Sequence, residues 1–187
     1  YIPGDTIKKV NGKTMTLIEF FVHSPFKDSL VEGRAESDKN VTSIVMQARF
    51  KKSSWDTKPS ALYLFGGDAD HYIWDEIQNQ SSAHNNGEKL DFDIFLAPHH
   101  CSWTYFNDVP YKKGETDEPV ESSKKLIKDH KVSGAVIIAS SKQINDDDDN
   151  PPHYPAKQEY VKLIGSSDKF VSLAEEPDSK NSKPVVY

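Results

Sequence analysis

A chain of 187 residues with a net charge of −6, 36% hydrophobic and 28% charged, is long enough to bury a core and too acidic to hold a nucleic-acid backbone by bulk charge. Its one cysteine, Cys101, excludes an intrachain disulfide and a thiolate zinc cluster. No run of about 18 apolar residues and no charged-then-apolar leader occurs, so the expectation is one soluble domain over 1–187 in a reducing, cytoplasmic setting, with no membrane segment.

In chain order, Asn11-Gly12 between two β-rich stretches predicts a hairpin over Lys8–Thr14. Thr14–Val22 reads as a strand ended by His23-Ser24-Pro25, which puts His23 at a strand tip. The charged stretch Phe26–Lys39 reads as a surface loop. Ile44–Phe50 and Ala61–Phe65 follow as adjacent antiparallel strands joined by the polar loop Lys51–Ser60. Ala69, Tyr72, Ile73 and Ile77 share one helical face, predicting a helix over Ala69–Gln80. Leu90–Ala97 is a buried strand, and Trp103–Glu118 is a loop crossing over the strand tips. Pro119 opens a helix to about His130, Ser133–Ala139 is another buried strand, and Pro155 opens a helix to about Ile164. Lys169–Leu173 and Pro184–Tyr187 complete the strands. Strands alternating with helices predict an α/β fold with its site along one edge of the sheet.

Two stretches concentrate the chemistry. Ala61–Phe65 runs into Gly66-Gly67-Asp68, and Phe92–Ala97 runs into Pro98-His99-His100. A carboxylate and two imidazoles at neighbouring strand ends suit Zn²⁺, or Mn²⁺ and Fe²⁺ where oxygen ligands are more numerous. Such a metal generates hydroxide near neutral pH, and the second histidine is then available to contact substrate or protonate a leaving group.

Four stretches in order carry a family likeness: Asn40-x-x-Ser43-Ile-Val, then Leu62-Tyr-Leu-Phe-Gly-Gly-Asp68-Ala-Asp70, then Phe92-Asp-Ile-Phe-Leu-Ala-Pro-His99-His100-x-Ser102, then Asn150 with His153 and Pro155 before a helix. Over Asn40–Ile164 the chain resembles the second half of a metallo-β-lactamase-fold hydrolase, closest to the soluble domain of ComEC-type competence proteins and related stand-alone hydrolases. The resemblance implies the C-terminal half of an αββα sandwich, a mixed sheet with helices packed on it. It also implies two metals, zinc or else manganese or iron, bridged by Asp68, with one histidine of the pair on the second metal and its neighbour facing the substrate phosphate. His100 is the better candidate for the ligand and His99 for the catalytic contact, with the assignment between them open. Ser102 and His153 join His99 as substrate-binding candidates. The implied substrate is a phosphodiester, a nucleotide or nucleic acid, attacked by metal-bound hydroxide.

Two departures from the pattern matter. Cys101 stands where the family has glycine, crowding the turn. The family's first metal motif, His-x-His-x-Asp-His, is absent, and Asp68-Ala-Asp70-His71 imitates only its end. The expectation is therefore a C-terminal half whose N-terminal partner, in cis or on another chain, supplies the remaining ligands, with the fragment alone inactive.

Plainer roles stand beside these. Asp68 could cap the following helix, the histidine pair and His23 could be bonded to backbone, and His153 could be a helix-entry residue instead of a phosphate contact. Asp146–Asp149 reads as a solvated run, because it lacks the alternating ligands and glycine of a calcium loop. Cys101 has no identifiable orienting partner for a nucleophile, and Trp103, Tyr105 and Phe106 line a pocket or cover the core. The alternatives in function are a non-catalytic binding module of the same fold, or a hydrolase of a lactam, lactone or thioester.

Overall fold

The computed structural model describes residues 1–27, 39–107, 118–146, 150–176 and 180. Asn11 and Gly12, both with positive φ, close the two-stranded ribbon of β2 (Lys9–Val10) and β3 (Lys13–Thr14), as the Asn-Gly pair requires. The main sheet has seven strands in the order β1 (Thr6–Ile7), β4 (Ile18–Ser24), β5 (Val45–Phe50), β6 (Ala61–Phe65), β7 (Phe92–Leu96), β8 (Lys131–Ala139) and β9 (Phe170–Ser172). Pairing is antiparallel from β1 to β6 and parallel from β6 to β9, so the fold is α/β with a mixed sheet. Three helices, α1 (His71–Ala83), α2 (Glu121–His130) and α3 (Tyr154–Ile164), provide the three parallel crossovers.

Because β6, β7, β8 and β9 are neighbours in chain order, right-handed crossovers put all three helices on one face. The register agrees. Phe21, Gln47, Leu64, Phe95, Ile137 and Phe170 lie side by side across the sheet, and Leu64, Phe95, Ile137 and Phe170 belong to the core cluster with Trp74, Leu126 and Tyr160 of the helices. The two flanking rows point to the other face. They read Phe20, Ala48, Tyr63, Ile94, Val136 and Val22, Met46, Phe65, Leu96, Ile138, Val171, with no charged residue in either. None of the three helices lies on that face, and Phe20, Met46, Tyr63, Phe65, Ile94, Leu96 and Val136 remain only half-buried.

Local differences from the sequence reading have local causes. The chain bends at Thr16-Leu17, so the predicted strand from Thr14 divides between the ribbon and β4, and β4 continues through Ser24. His23 is therefore inside a strand and 4% exposed instead of at a free tip. The second helix begins at Glu121, two residues after Pro119. Trp103, Tyr105 and Phe106 belong to the core: Tyr105 stacks on Tyr160 at 5.4 Å between ring centres, and its hydroxyl donates to the Ser123 carbonyl at 3.0 Å. The expected strand Pro184–Tyr187, most of the acidic run Asp146–Asp149 and much of the loops Phe26–Lys39 and Trp103–Glu118 lie outside the described residues.

Candidate functional site at the tips of the central strands

β6 and β7 are parallel neighbours, so Gly66-Gly67-Asp68 and Pro98-His99-His100 leave the sheet side by side. The two turns nest. The His99 amide donates to the Gly67 carbonyl at 2.9 Å. A Cβ on Gly66 would lie 2.6 Å from Pro98 Cγ and 2.8 Å from the Leu96 carbonyl, so only glycine fits between the turns. Gly67 has φ of +55°, and a Cβ there would meet the Ile44 carbonyl at 2.8 Å.

The pair of glycines leaves Asp68 exposed, and among the described residues its carboxylate makes no hydrogen bond or ion pair. The helix-capping role belongs to Asp70, which is buried and whose Oδ1 accepts from the Ile73 amide at 3.1 Å. His71, the first residue of α1, is buried with its ring 3.9 Å from that of Tyr72, which takes both ends of the Asp70-His71 pair into structure.

His99, His100 and Cys101 are three consecutive residues with positive φ, at 47°, 56° and 69°. That left-handed run turns the chain sharply after Pro98 and holds the two imidazoles apart, with 6.4 Å between ring centres. His100 is exposed and donates from Nδ1 to the Ser140 carbonyl beyond β8, at 2.6 Å. A neutral imidazole that donates through Nδ1 presents the lone pair of Nε2 outward, which is how metal-ligating histidines are oriented. His99 is half-buried, and its Nδ1 is a long 3.5 Å from Thr104 Oγ1.

The other candidates are placed behind this tip. Ser102 is fully buried and its Oγ accepts from the Thr104 amide at 3.3 Å and the Thr104 hydroxyl at 3.1 Å, capping the short turn Trp103–Tyr105. His153, 5% exposed, accepts the Trp103 amide at Nδ1 at 2.8 Å, while its own amide donates to the Cys101 carbonyl at 3.0 Å. It therefore braces the histidine turn against the start of α3. Cys101 is fully buried, and burial pushes its thiol well above the usual range, so it is not a nucleophile at neutral pH. His23 is engaged by backbone: its Nε2 donates to the Lys89 carbonyl at 2.9 Å, and burial lowers its pKa to about 4, keeping it neutral.

Among the described residues no group of three or more His, Cys, Asp or Glu side chains is arranged to hold a metal ion. Asp68 and His100 are donors of the right type, but they do not by themselves fit a closed site, which needs at least three protein ligands. The residue that reasoning along the chain missed is Ser140, whose carbonyl sets the His100 tautomer. Its signal is only that it ends the strand after the histidine pair. No family profile, curated protein or solved structure matches the chain.

Proposed function

We propose that the chain is one layer of a metallo-β-lactamase-like αββα sandwich and that the assembled protein is a metal-dependent hydrolase of phosphodiesters, with a nucleotide or nucleic acid as substrate class. The observation that carries the reading is the nested pair of strand tips. It leaves Asp68 unengaged among the described residues, and it holds His100 with Nδ1 on the Ser140 carbonyl and Nε2 outward. The apolar sheet face, on which none of the three crossover helices lies, supports the sandwich, since strands of this kind are covered on both faces in stable α/β domains. The covering layer, in cis or on another chain, would bring the remaining ligands for zinc, or manganese or iron. Asp68 and His100 would be this layer's contribution, and His99, beside them, would face the substrate.

The test has two arms. The 187-residue chain alone is expected to bind less than one equivalent of zinc and to hydrolyse neither bis(p-nitrophenyl) phosphate nor an oligonucleotide. Tight stoichiometric binding by this chain alone would overturn the half-site assignment. In a polypeptide carrying both layers, Asp68→Ala and His100→Ala should each abolish metal-dependent hydrolysis, and full activity in either folded variant would sink it.

The lack of a three-ligand group among the described residues favours one second reading, a non-catalytic binding module of the same fold. A two-layer protein that retains no metal after mild purification would establish that reading. A panel including a lactam, a lactone and a thioester separates carbonyl from phosphodiester hydrolysis.

A further inference from the structure

The sheet end opposite Asp68 and His100 has a different character. β1 and β5 run toward it and β4 and β6 start from it, so two hairpin tips project there together. One is the β2–β3 ribbon and the other is the loop 51–60. Each is anchored at its base to β4 or the residue that leads into it: the ribbon by the Lys8–Glu19 ion pair at 3.5 Å, and the loop by the Lys51 amide, which donates to the Leu17 carbonyl at 2.8 Å.

Charge is segregated to these tips. Residues 8–13 and 51–60 hold Lys8, Lys9, Lys13, Lys51, Lys52 and Lys58 against the single carboxylate Asp56, on a chain whose net charge is −6. Asp56 is occupied internally: its Oδ2 accepts the Ser53 amide at 2.8 Å, and its amide donates to the Ser53 carbonyl at 3.2 Å. The Trp55 amide donates to Ser53 Oγ at 3.2 Å, so the closed turn holds the indole outward, 91% exposed. Val10 at 51%, Leu17 at 47% and Phe50 at 39% are the other large apolar side chains exposed at this end.

We propose that this end of the sheet is a docking face for an anionic lipid surface, with Trp55 and its apolar neighbours entering the headgroup region and the lysines lying against the anionic headgroups. The combination of an indole, aliphatic side chains and lysines is what interfacial binding uses, apolar burial and charge acting together. A single-stranded nucleic acid accounts for it less well. Val10 and Leu17 offer no plane for a base, and one indole is a poor platform for successive bases. No helix among the described residues is long and apolar enough to cross a membrane. The proposal is independent of the hydrolase reading.

The experiment is flotation of the full 187-residue chain with vesicles of phosphatidylcholine alone and of equal parts phosphatidylcholine and phosphatidylserine. Binding is expected only to the second, with release at about 0.5 M salt, where the Debye length falls to a few ångströms. Trp74 and Trp103 are 0% and 3% exposed, so a blue shift of tryptophan emission on binding reports Trp55. Trp55→Ala, and separately Lys51→Glu with Lys52→Glu, should each lower the bound fraction about tenfold with unchanged circular dichroism. Failure to float with the anionic vesicles overturns the proposal, as does flotation that neither variant weakens. Loss of oligo(dT) binding in the same variants, with no vesicle binding by the unsubstituted chain, would assign the face to single-stranded nucleic acid instead.

Discussion

The amide of His99 donates to the carbonyl of Gly67 at 2.9 Å, and that one bond joins the two strand tips on which the candidate site depends. The approach it needs is allowed by Gly66, packed against Pro98 and Leu96. Gly66→Ala should therefore force the turns apart and destabilise the chain by about 1 to 3 kcal/mol, the range for overpacking. Gly87→Ala is the control: a Cβ there meets nothing within 4 Å, so its urea midpoint should stay the same or rise slightly.

Asp68 and Asp70, two positions apart, divide function and stability between them. Asp70 caps α1 through Ile73, so Asp70→Ala should cost about 1 kcal/mol in chemical denaturation. Asp68 is exposed, and Asp68→Ala should leave the denaturation curve within about 0.5 kcal/mol of the parent. A large stability loss at Asp68 would mean that its carboxylate is structural.

His23 sets a pH dependence with a definite sign. Burial depresses it from 6.5 to about 4 in the folded chain, so between those values the unfolded chain binds the extra proton. Its contribution is complete above pH 6.5 and declines as pH falls toward 4, by at most roughly 3 to 4 kcal/mol at 1.4 kcal/mol per pKa unit. Urea midpoints measured across that window should fall less steeply for His23→Gln than for the parent. Parallel curves would show that His23 titrates normally.

Cys101 should resist alkylation. Its side chain is fully buried and burial holds it as the thiol. Iodoacetamide at pH 8 should label it only in denaturant, and rapid labelling of the folded chain would contradict its placement behind the histidine turn.

Several features follow from the residues by local rules. Asn11-Gly12 makes its hairpin because both positions need positive φ. The helix after Gly66-Gly67 is written in the spacing of Ala69, Ile73 and Ile77, although its cap falls on Asp70, two residues later than the first available carboxylate. Periodicity locates a helix within a turn but does not choose between two adjacent caps, because that choice depends on how the preceding turn is pinned. His23 shows the same limit from the other side. A histidine before Ser-Pro has the local look of a strand tip, yet the carbonyl that holds it belongs to Lys89, 66 positions away.

The candidate site divides along the same line. The sequence by itself determined that a carboxylate and two imidazoles end short apolar strands, because apolar runs broken by Gly-Gly or Pro can do little else, although those strands are buried on the helix face only. Only the tertiary structure decided what those side chains do. The parallel pairing of β6 with β7 brings the tips together, the Ser140 carbonyl orients His100, and Trp103 takes the ring of His153. It also decided that the three crossover helices fall on one face and leave two apolar rows on the other. A residue's type and spacing are properties of the chain, whereas hydrogen-bond partners and the covering of a face are set by segments that meet only when the chain has folded.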